Sequence, residues 1–548
     1  MADTREHADV VVVGAGIGGL TTAAYLASLG RRVVVVDRQP VPGGNTSVFT
    51  HEGFEFDIGL HYLGGYRGGR PGLCELLEPL GIDLRFRELD PDGFDTLLFE
   101  DMTFPVPKGI EAFRARLHEF FPTERAAIDR HLRRIEAVGE QTDLAMPMRG
   151  VDGVREFVEY GWRARDVIPA VWTTLGRELD RLGCSPRLRL VLSWIHGCYA
   201  VAPSRVSLAM HAAVTNFYLR GAWYPEGGAS AVSQPLVDVI MHNGGKILLD
   251  TDVSRILTAG SAVRGVRLEA GPGATEPAAQ EVLAPVVVSA IDIKRTFLEL
   301  LEPDVVPQRV RRRVERFRMA LPIFILYVIL DRDLRAEGVP NRNWLVIDCD
   351  DLDGLYATLE AGQTMPAQDW TFITSASLKD PTNPRLCRPG QTNLQVMSLA
   401  PASHEFWGVG PGLERGERYQ ERKRQFRDRL VRSAERAIPG FADAIIYEES
   451  ATPITLERFL RSSGGTSYGI AGTPAQMGVG RPGPRTAITG LFLAGANARP
   501  AHGITHTMSG AIDTASAILG TRAEQALRRA PLSRATSHEP TPAEKVPA

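Results

Sequence analysis

The stretch Val10-Val11-Val12-Val13-Gly14-Ala15-Gly16-Ile17-Gly18-Gly19 opens the informative part of the chain, and Asp37 closes a second valine run at Val33–Val36. The valine runs read as buried strands. The small and apolar residues from Leu20 to Leu29 read as a helix that Gly30 stops. Strand, glycine turn, helix, strand and acid, in that order, form the βαβ unit that holds a dinucleotide. Gly14 allows the tight turn off the strand. Gly16 lets a pyrophosphate approach where a Cβ would collide, and Gly19 lets the helix pack close to the sheet. The helix N-terminus offers free N–H groups and a positive dipole end to the phosphates. Asp37 can accept hydrogen bonds from two ribose hydroxyls. Ala15 and Gly18 in the loop, and Arg38 just past the acid, complete the first group of candidate cofactor residues.

Working outward, Gly43-Gly44-Asn45 gives a second glycine pair suited to a second close backbone approach. Residues 53–59 (GFEFDIG) alternate like a strand. Residues 226–257 read as a helix, the Asn243-Gly244-Gly245 turn and a strand at Lys246–Leu249, with Val253 at a turn. A hairpin is expected over 261–268 and a buried strand over 284–292 (APVVVSAID). Near the end, Gly490–Gly495 reads as a strand ending in Gly495-Ala496. A loop follows through His502-Gly503-Ile504, then a small-residue helix over His506–Leu519. Between these pieces, 66–220 is mostly helical by pattern, over 109–141, 152–181 and 186–217. The segment 295–480 mixes strands (Ile323–Leu330, Leu394–Leu399) with a charged helix (Leu413–Ala437).

The expected fold is therefore α/β. A discontinuous Rossmann-like nucleotide-binding domain takes 1–65, 221–294 and 481–527. An inserted α+β substrate-binding domain takes 66–220 and 295–480. The Pro-, Ser-, Thr- and charge-rich tail, 528–548, is expected to be disordered.

Composition narrows the classes. The chain has 548 residues, 44% hydrophobic and 23% charged, enough for two or three ordinary globular domains. A formal net charge of −3 gives no electrostatic case for nucleic acid as a partner. Cys74, Cys184, Cys198, Cys349 and Cys387 form no CxxC pair, which suits a reduced, cytoplasmic protein. The first residues carry acids and no apolar signal region. The apolar run Met319–Leu330 is well short of the roughly 20 residues that span a bilayer. It reads as a buried strand or a surface-dipping element, so peripheral contact with the inner face of a membrane stays open.

The segment around Gly43-Gly44 resembles the N-terminus of the FAD-dependent amine oxidase and phytoene desaturase superfamily, whose nucleotide domain is of the GR2 type. Further segments resemble the phytoene desaturase, carotenoid isomerase and retinol saturase group. They are Gly59-Leu-His61-Tyr62-Leu-Gly64-Gly65, Pro203-Ser204-Arg205-Val-Ser207, Tyr224-Pro225-Glu226-Gly227-Gly228-Ala-Ser230, and Thr452-Pro453 with Tyr468-Gly469. Together the matches span residues 10 to about 520. The resemblance implies FAD as cofactor. It places Asn45, Val253, Gly495, Ala496, Gly503 and Ile504 at the cofactor, with the last helix's N-terminus toward the flavin. Asn45 stands where many desaturases and amine oxidases have arginine. The Ala494–Gly503 motif lacks the glycine pair usual in desaturases.

The chemistry implied is desaturation, saturation or redox-neutral cis-trans isomerisation of a hydrophobic polyene or isoprenoid, such as a carotenoid or retinoid. O2, a quinone or NAD(P)H would serve as electron acceptor or donor. The apolar residues of Met319–Leu330 and the helical segment either line the substrate pocket or are plain core. His61 and Tyr62 are candidates for proton handling, as is His502. His61 reads equally well as a structural histidine. His502 and His506 stand four residues apart but lack a partner acid, so no metal site is expected. Two other readings remain. One is an amine oxidase-like enzyme acting on C–N bonds, against which no aromatic pair can be placed in the sequence. The other is a non-catalytic binder of prenylated partners, like the Rab escort and GDP-dissociation inhibitor proteins.

Overall fold

The structure is a computed structural model and describes residues 5–65, 72–145, 164–275, 280–364, 369–410 and 412–529. Five short parallel strands form its first sheet, in the order Lys246–Leu248, Val33–Val36, Val10–Val13, Val286–Ser289, Leu491–Leu493. Strands covered on both faces become continuous apolar runs, which is why two of them read simply Val-Val-Val-Val. Val10, Val12, Val33 and Val35 face the Ile17–Ser28 helix. That helix packs between the helices Ser230–His242 and Ile504–Leu519. Val11, Val13, Val34 and Val36 face a second, four-stranded sheet built around the hairpin Thr251–Ala259 and Ala262–Ala270. The sheet order matches that of a dinucleotide fold, whose ligands sit at the carboxyl ends of the strands.

A seven-stranded sheet forms the other half: Ile445–Ala451, Ile323–Leu330, Thr392–Leu399, Trp370–Thr374, Asn343–Ile347, Asp95–Leu98, Thr103–Val106. Ile323–Leu330 is buried along its whole length. The charged helix Glu417–Ala437 covers one face through Phe426, Leu430 and Ala434. The other face joins the helices Ile110–Phe120, Arg125–Ala145 and Leu208–Leu219 in the main core.

Several local expectations need correction. Val253 is not at a turn but inside the Thr251–Ala259 strand, where a register shift follows it. The 66–220 segment is mostly helical but also contributes strands: Asp95–Leu98 and Thr103–Val106 extend the large sheet. Pro105 is tolerated there because its strand is the edge. The expected helix 109–141 breaks after Phe120, ahead of Pro122. The expected helix 186–217 becomes Pro186–Leu192, a 3-10 turn at Trp194–Cys198, and Leu208–Leu219. Residues 152–163 of the middle helix lie outside the described residues. The last long helix begins at Ile504 rather than His506. Residues 528 and 529 close a short helix, Ala523–Arg529, and the rest of the expected tail lies outside the described residues. No helix among the described residues is long and apolar enough to cross a membrane.

Candidate functional site

A cavity of about 370 Å³ runs from the fingerprint loop into the space between the two sheets, within the size range of ligand pockets. Its first end is built by the βαβ unit. Gly14 holds φ +101° where the chain leaves the strand, and a Cβ on Gly19 would lie 1.9 Å from the Gly14 carbonyl oxygen. A Cβ on Gly18 would lie 2.7 Å from Gly495 Cα. Gly16 differs: nothing lies within 4 Å of the Cβ it lacks, and it faces the cavity. Space that protein atoms leave empty beside a helix N-terminus is what a pyrophosphate requires.

Asp37 ends its strand at the cavity wall. Its Oδ2 accepts from the Ala15 N–H at 2.6 Å and its Oδ1 from the Gln39 N–H at 2.8 Å. Burial raises the pKa of its carboxyl, and these two backbone donors oppose that shift. Three arginines gather on the next acid. Arg295 meets Asp252 at 2.9 Å, Arg461 at 3.1 Å and Arg38 at 3.8 Å. The Nε atoms of Arg38 and Arg295 are buried without a hydrogen-bond partner. Opposite, Arg38 donates to the carbonyls of Arg458 and Phe459, and Ser463 bonds Asp292, so the 458–463 segment closes this end.

Of the residues singled out from sequence, Gly14, Gly16, Gly18, Asp37, Arg38, Gly44, Asn45, Val253, Gly495, Ala496, Gly503 and Ile504 line this one cavity. Ala15, Gly19 and Gly43 lie behind it. Ala15 holds Asp37, Gly19 packs under Gly14, and the Gly43 N–H donates to the Ala15 carbonyl at 2.8 Å. The Ile504–Leu519 helix opens onto the cavity with its first turn, through Gly503, Ile504, Thr505 and His506. The Thr505 hydroxyl has no partner. Arg481 is 1% exposed and ties down the loop before this helix, donating to the carbonyls of Ala498, Ile470 and Ala496. A cradle with two helix N-termini and a buried acid at its wall fits a dinucleotide cofactor.

The far end is apolar. Met210, Val214 and Phe217 project from one face of the Leu208–Leu219 helix, joined by Tyr62, Tyr218, Cys198, Ile323 and Tyr468. The tyrosine pair Tyr62 and Tyr218, with centroids 4.4 Å apart and planes tilted 40°, is an aromatic pair that the sequence did not disclose. Carboxylates line the cavity only at the opposite end, among the described residues: Asp37, Asp252 and Asp292.

The three proton-handling candidates fall into different situations. His61 lines the cavity, and burial, aided by nearby Lys379, drives its pKa down to about 3. The Tyr62 ring faces the cavity, but its hydroxyl donates to Asp95. His502 is 3% exposed and lines the cavity with both ring nitrogens unpartnered; the Cys198 backbone lies close but outside hydrogen-bond geometry. Burial, then the Arg481 charge, lowers its pKa to about 3, so the ring is neutral. His506 is lowered to about 4 in the same way.

Sequence reasoning missed the layer beneath. Lys379 is buried and donates to the His61 carbonyl at 2.7 Å and to Thr374 Oγ1. Its ammonium lies 5.7 Å from the Tyr62 ring centre and 5.6 Å from that of Tyr224. Burial lowers its pKa to about 7, opposed by Asp95 and Asp57, which burial itself raises to about 6. A lysine in a loose helical stretch gives no sequence signal for this role.

Comparisons with known proteins agree with the geometry. A family model described as flavin containing amine oxidoreductase matches residues 17–517. The all-trans-retinol 13,14-reductase of Danio rerio is 28% identical over 484 residues, spanning 85% of this chain and 78% of that protein. Prolycopene isomerase 1, chloroplastic, of an Oncidium hybrid cultivar is 25% identical over 522 residues, spanning 92% of this chain and 82% of its own. The solved structure of cyclohexylamine oxidase from Brevibacterium oxydans superimposes with a TM-score of 0.57 at 19% identity, covering 95% of this chain and 99% of that one.

Proposed function

The chain belongs to the flavin-containing amine oxidoreductase family and is an FAD-dependent oxidoreductase, and from that premise we propose that it acts on carbon–carbon bonds of a hydrophobic polyene or isoprenoid. The observation that carries this reading is the charge segregation in the cavity. Acids and arginines crowd the Asp37 end, while Met210, Val214, Phe217, Ile323 and the tyrosines line the other without a carboxylate. A cationic amine would have to leave water for that apolar end without a counter-charge, whereas a polyene would gain from burial there. The retinol reductase and prolycopene isomerase relatives are named for polyene substrates, which supports the same class.

Bound FAD supplies the two-electron redox chemistry that no side chain provides. We assign its ADP half to Asp37, the 14–19 loop and the Arg38–Asp252–Arg295–Arg461 cluster. The flavin end is assigned to the first turn of the Ile504–Leu519 helix, whose dipole favours an anionic partner. The apolar wall orients the polyene and excludes water. His502 is the residue we assign to proton handling. Its ring is neutral and buried, and no hydrogen bond of normal geometry holds its proton or its lone pair, so one nitrogen can take a proton and the other give one. Net desaturation needs an acceptor and net saturation a donor, with O2, a quinone or NAD(P)H in that role; isomerisation needs neither.

An anaerobic optical titration tests the reading. Retinoids or carotenoids should bleach the bound oxidised cofactor, reoxidise the reduced one, or isomerise on it. A protein that does none of these with any of them is not a polyene oxidoreductase. The Tyr62–Tyr218 pair favours a second reading, because aromatic pairs also receive cations. Hydrogen peroxide released on adding amines would support that one instead.

A further inference from the structure

Three lysine or arginine side chains are buried among the described residues, and two of them face acids. Arg295 meets Asp252 at 2.9 Å, and the charges of Asp95 and Asp57 act on Lys379. Arg481 is the exception. Its Nε donates to the Ala498 carbonyl at 3.0 Å, its Nη1 to that of Ile470 at 3.1 Å and its Nη2 to that of Ala496. No carboxylate among the described residues pairs with it, and the cause that moves its pKa is burial, which lowers it to about 10. A guanidinium keeps its proton under these conditions, so a full positive charge is held here against a large desolvation cost. Three carbonyl oxygens explain how the fork is oriented, but they leave its charge without an ionic partner.

The charge acts on the cavity from behind its wall. Arg481 is not part of the lining, but Ala496, whose carbonyl it holds, is, and so are His502 and His506. After burial, the Arg481 charge is the next cause that lowers the pKa of both histidines, so its field reaches the side chains that face the cavity. The first turn of the Ile504–Leu519 helix adds its positive dipole end at the same place. The carboxylates in the lining, Asp37, Asp252 and Asp292, all belong to the opposite end. This end of the cavity is therefore a positive site, with no acid of the described residues in its wall. Its natural complement is an anion. A hydride delivered to the neutral ring system of oxidised flavin supplies one, because the two electrons and the proton leave that ring system with one negative charge.

We propose that Arg481 is a positioning residue for this charge: from behind the Ala496 loop, its field favours the reduced, anionic flavin over the oxidised one and raises the cofactor's reduction potential. The proposal rests on the flavin placement given above and not on the polyene substrate. No substrate enters its test, so either reading can fail without the other. Potentials of the full-length, FAD-loaded protein are measured by anaerobic titration with dithionite against a reference dye. A unit charge about 10 Å away, in a medium of effective dielectric about 20, changes such an equilibrium roughly tenfold. Arg481→Gln, which loses the charge, should therefore lower the potential by about 30 mV, the equivalent of a tenfold change for two electrons. Arg481→Lys, which keeps the charge below neutral pH, should stay nearer wild type there. Oxidised FAD should bind the glutamine variant within about threefold of wild type, and reduced FAD about tenfold more weakly, as linkage requires. A wild-type potential in Arg481→Gln would overturn the proposal. Equal losses in both variants would also overturn it, since the loop's geometry and not the charge would then set the potential. Should neither variant retain FAD, absorbance of the reduced wild-type protein across pH decides. Its flavin should stay anionic to at least about one pH unit below the point where free reduced FAD takes up its proton, the same tenfold preference read as a proton affinity. Protonation at the free value would sink the idea.

Discussion

The Tyr62 hydroxyl donates to Asp95 Oδ2 at 3.0 Å, while its ring forms part of the cavity wall. The same carboxylate receives Trp194 Nε1 at 3.2 Å on Oδ2 and Asn343 Nδ2 at 2.9 Å on Oδ1. The phenolic proton therefore points into the protein, away from any ligand in the cavity. Tyr62→Phe removes one of three donors to a buried acid. It should lower stability by about 1–3 kcal/mol while leaving turnover within about tenfold of wild type. Thermal melts beside steady-state rates check this. A hundredfold rate loss without a change in melting would make Tyr62 the proton donor after all.

His502 has the opposite disposition, with no hydrogen bond of normal geometry on either nitrogen. His502→Ala should keep FAD, because the ring is neutral, and should lose about 10²- to 10⁴-fold in turnover, the usual range for a positioned acid or base. Rapid-mixing absorbance at a saturating polyene concentration separates that loss from weaker binding.

Gly16 and Gly19 make a contrasting pair. A Cβ at Gly19 would strike the Gly14 carbonyl, so Gly19→Ala should yield little folded protein. A Cβ at Gly16 meets nothing in the protein, so Gly16→Ala should fold with apoprotein stability within about 0.5 kcal/mol of wild type. Its FAD dissociation constant should rise at least about tenfold, since the new methyl group occupies the phosphate approach. Calorimetric titration of the apoprotein with FAD is the measurement. Unchanged affinity would remove Gly16 from the cofactor site.

Acid should loosen the fold, and the sign follows from the buried imidazoles. Burial lowers His61, His196 and His502 to about 3 and His131 and His506 to about 4. Below the ordinary histidine value of 6.5 the unfolded chain takes protons that the folded chain refuses, so stability drops as pH falls from 6.5 toward 4. Asp57, Asp95 and Asp369, raised to about 6, act oppositely between 6 and 3.8, because there the folded state binds the proton. Five histidines outweigh three acids, so the melting temperature should fall from pH 7 to pH 5. His502→Gln should flatten that slope. An identical slope in the variant would mean the ring is already protonated in the folded protein.

What could be read in advance divides along sequence distance. The Val10–Asp37 unit is local, and glycine spacing with two valine runs announces it without help from the rest of the chain. Asp95–Leu98 and Thr103–Val106 are short, interrupted by Pro105, and find their place only beside Asn343–Ile347, with Asp95 and Asn343 separated by 248 positions. Nothing within a window around residue 100 encodes that pairing. The same limit applies to the site. Met210, Val214 and Phe217 share a visible helical spacing, yet a stripe that lines a cavity and one that fills a core look alike in sequence. The Asp252 cluster draws on Arg38, Arg295 and Arg461, each an ordinary surface-type arginine until the chain closes.

The position of Leu491–Leu493 at the end of the parallel sheet has a consequence for biogenesis. Its partner Val286–Ser289 leaves the ribosome roughly 200 residues earlier, a delay of about ten to forty seconds at ordinary elongation rates. Throughout that interval a valine-rich strand has one unpaired edge, and Ile504–Leu519, one of the two helices that pack against Ile17–Ser28, does not yet exist. The nascent chain is therefore a natural client for chaperones that shield apolar strand edges. The two strand pairs that begin and finish the nucleotide fold act as the first and last stitches of one seam.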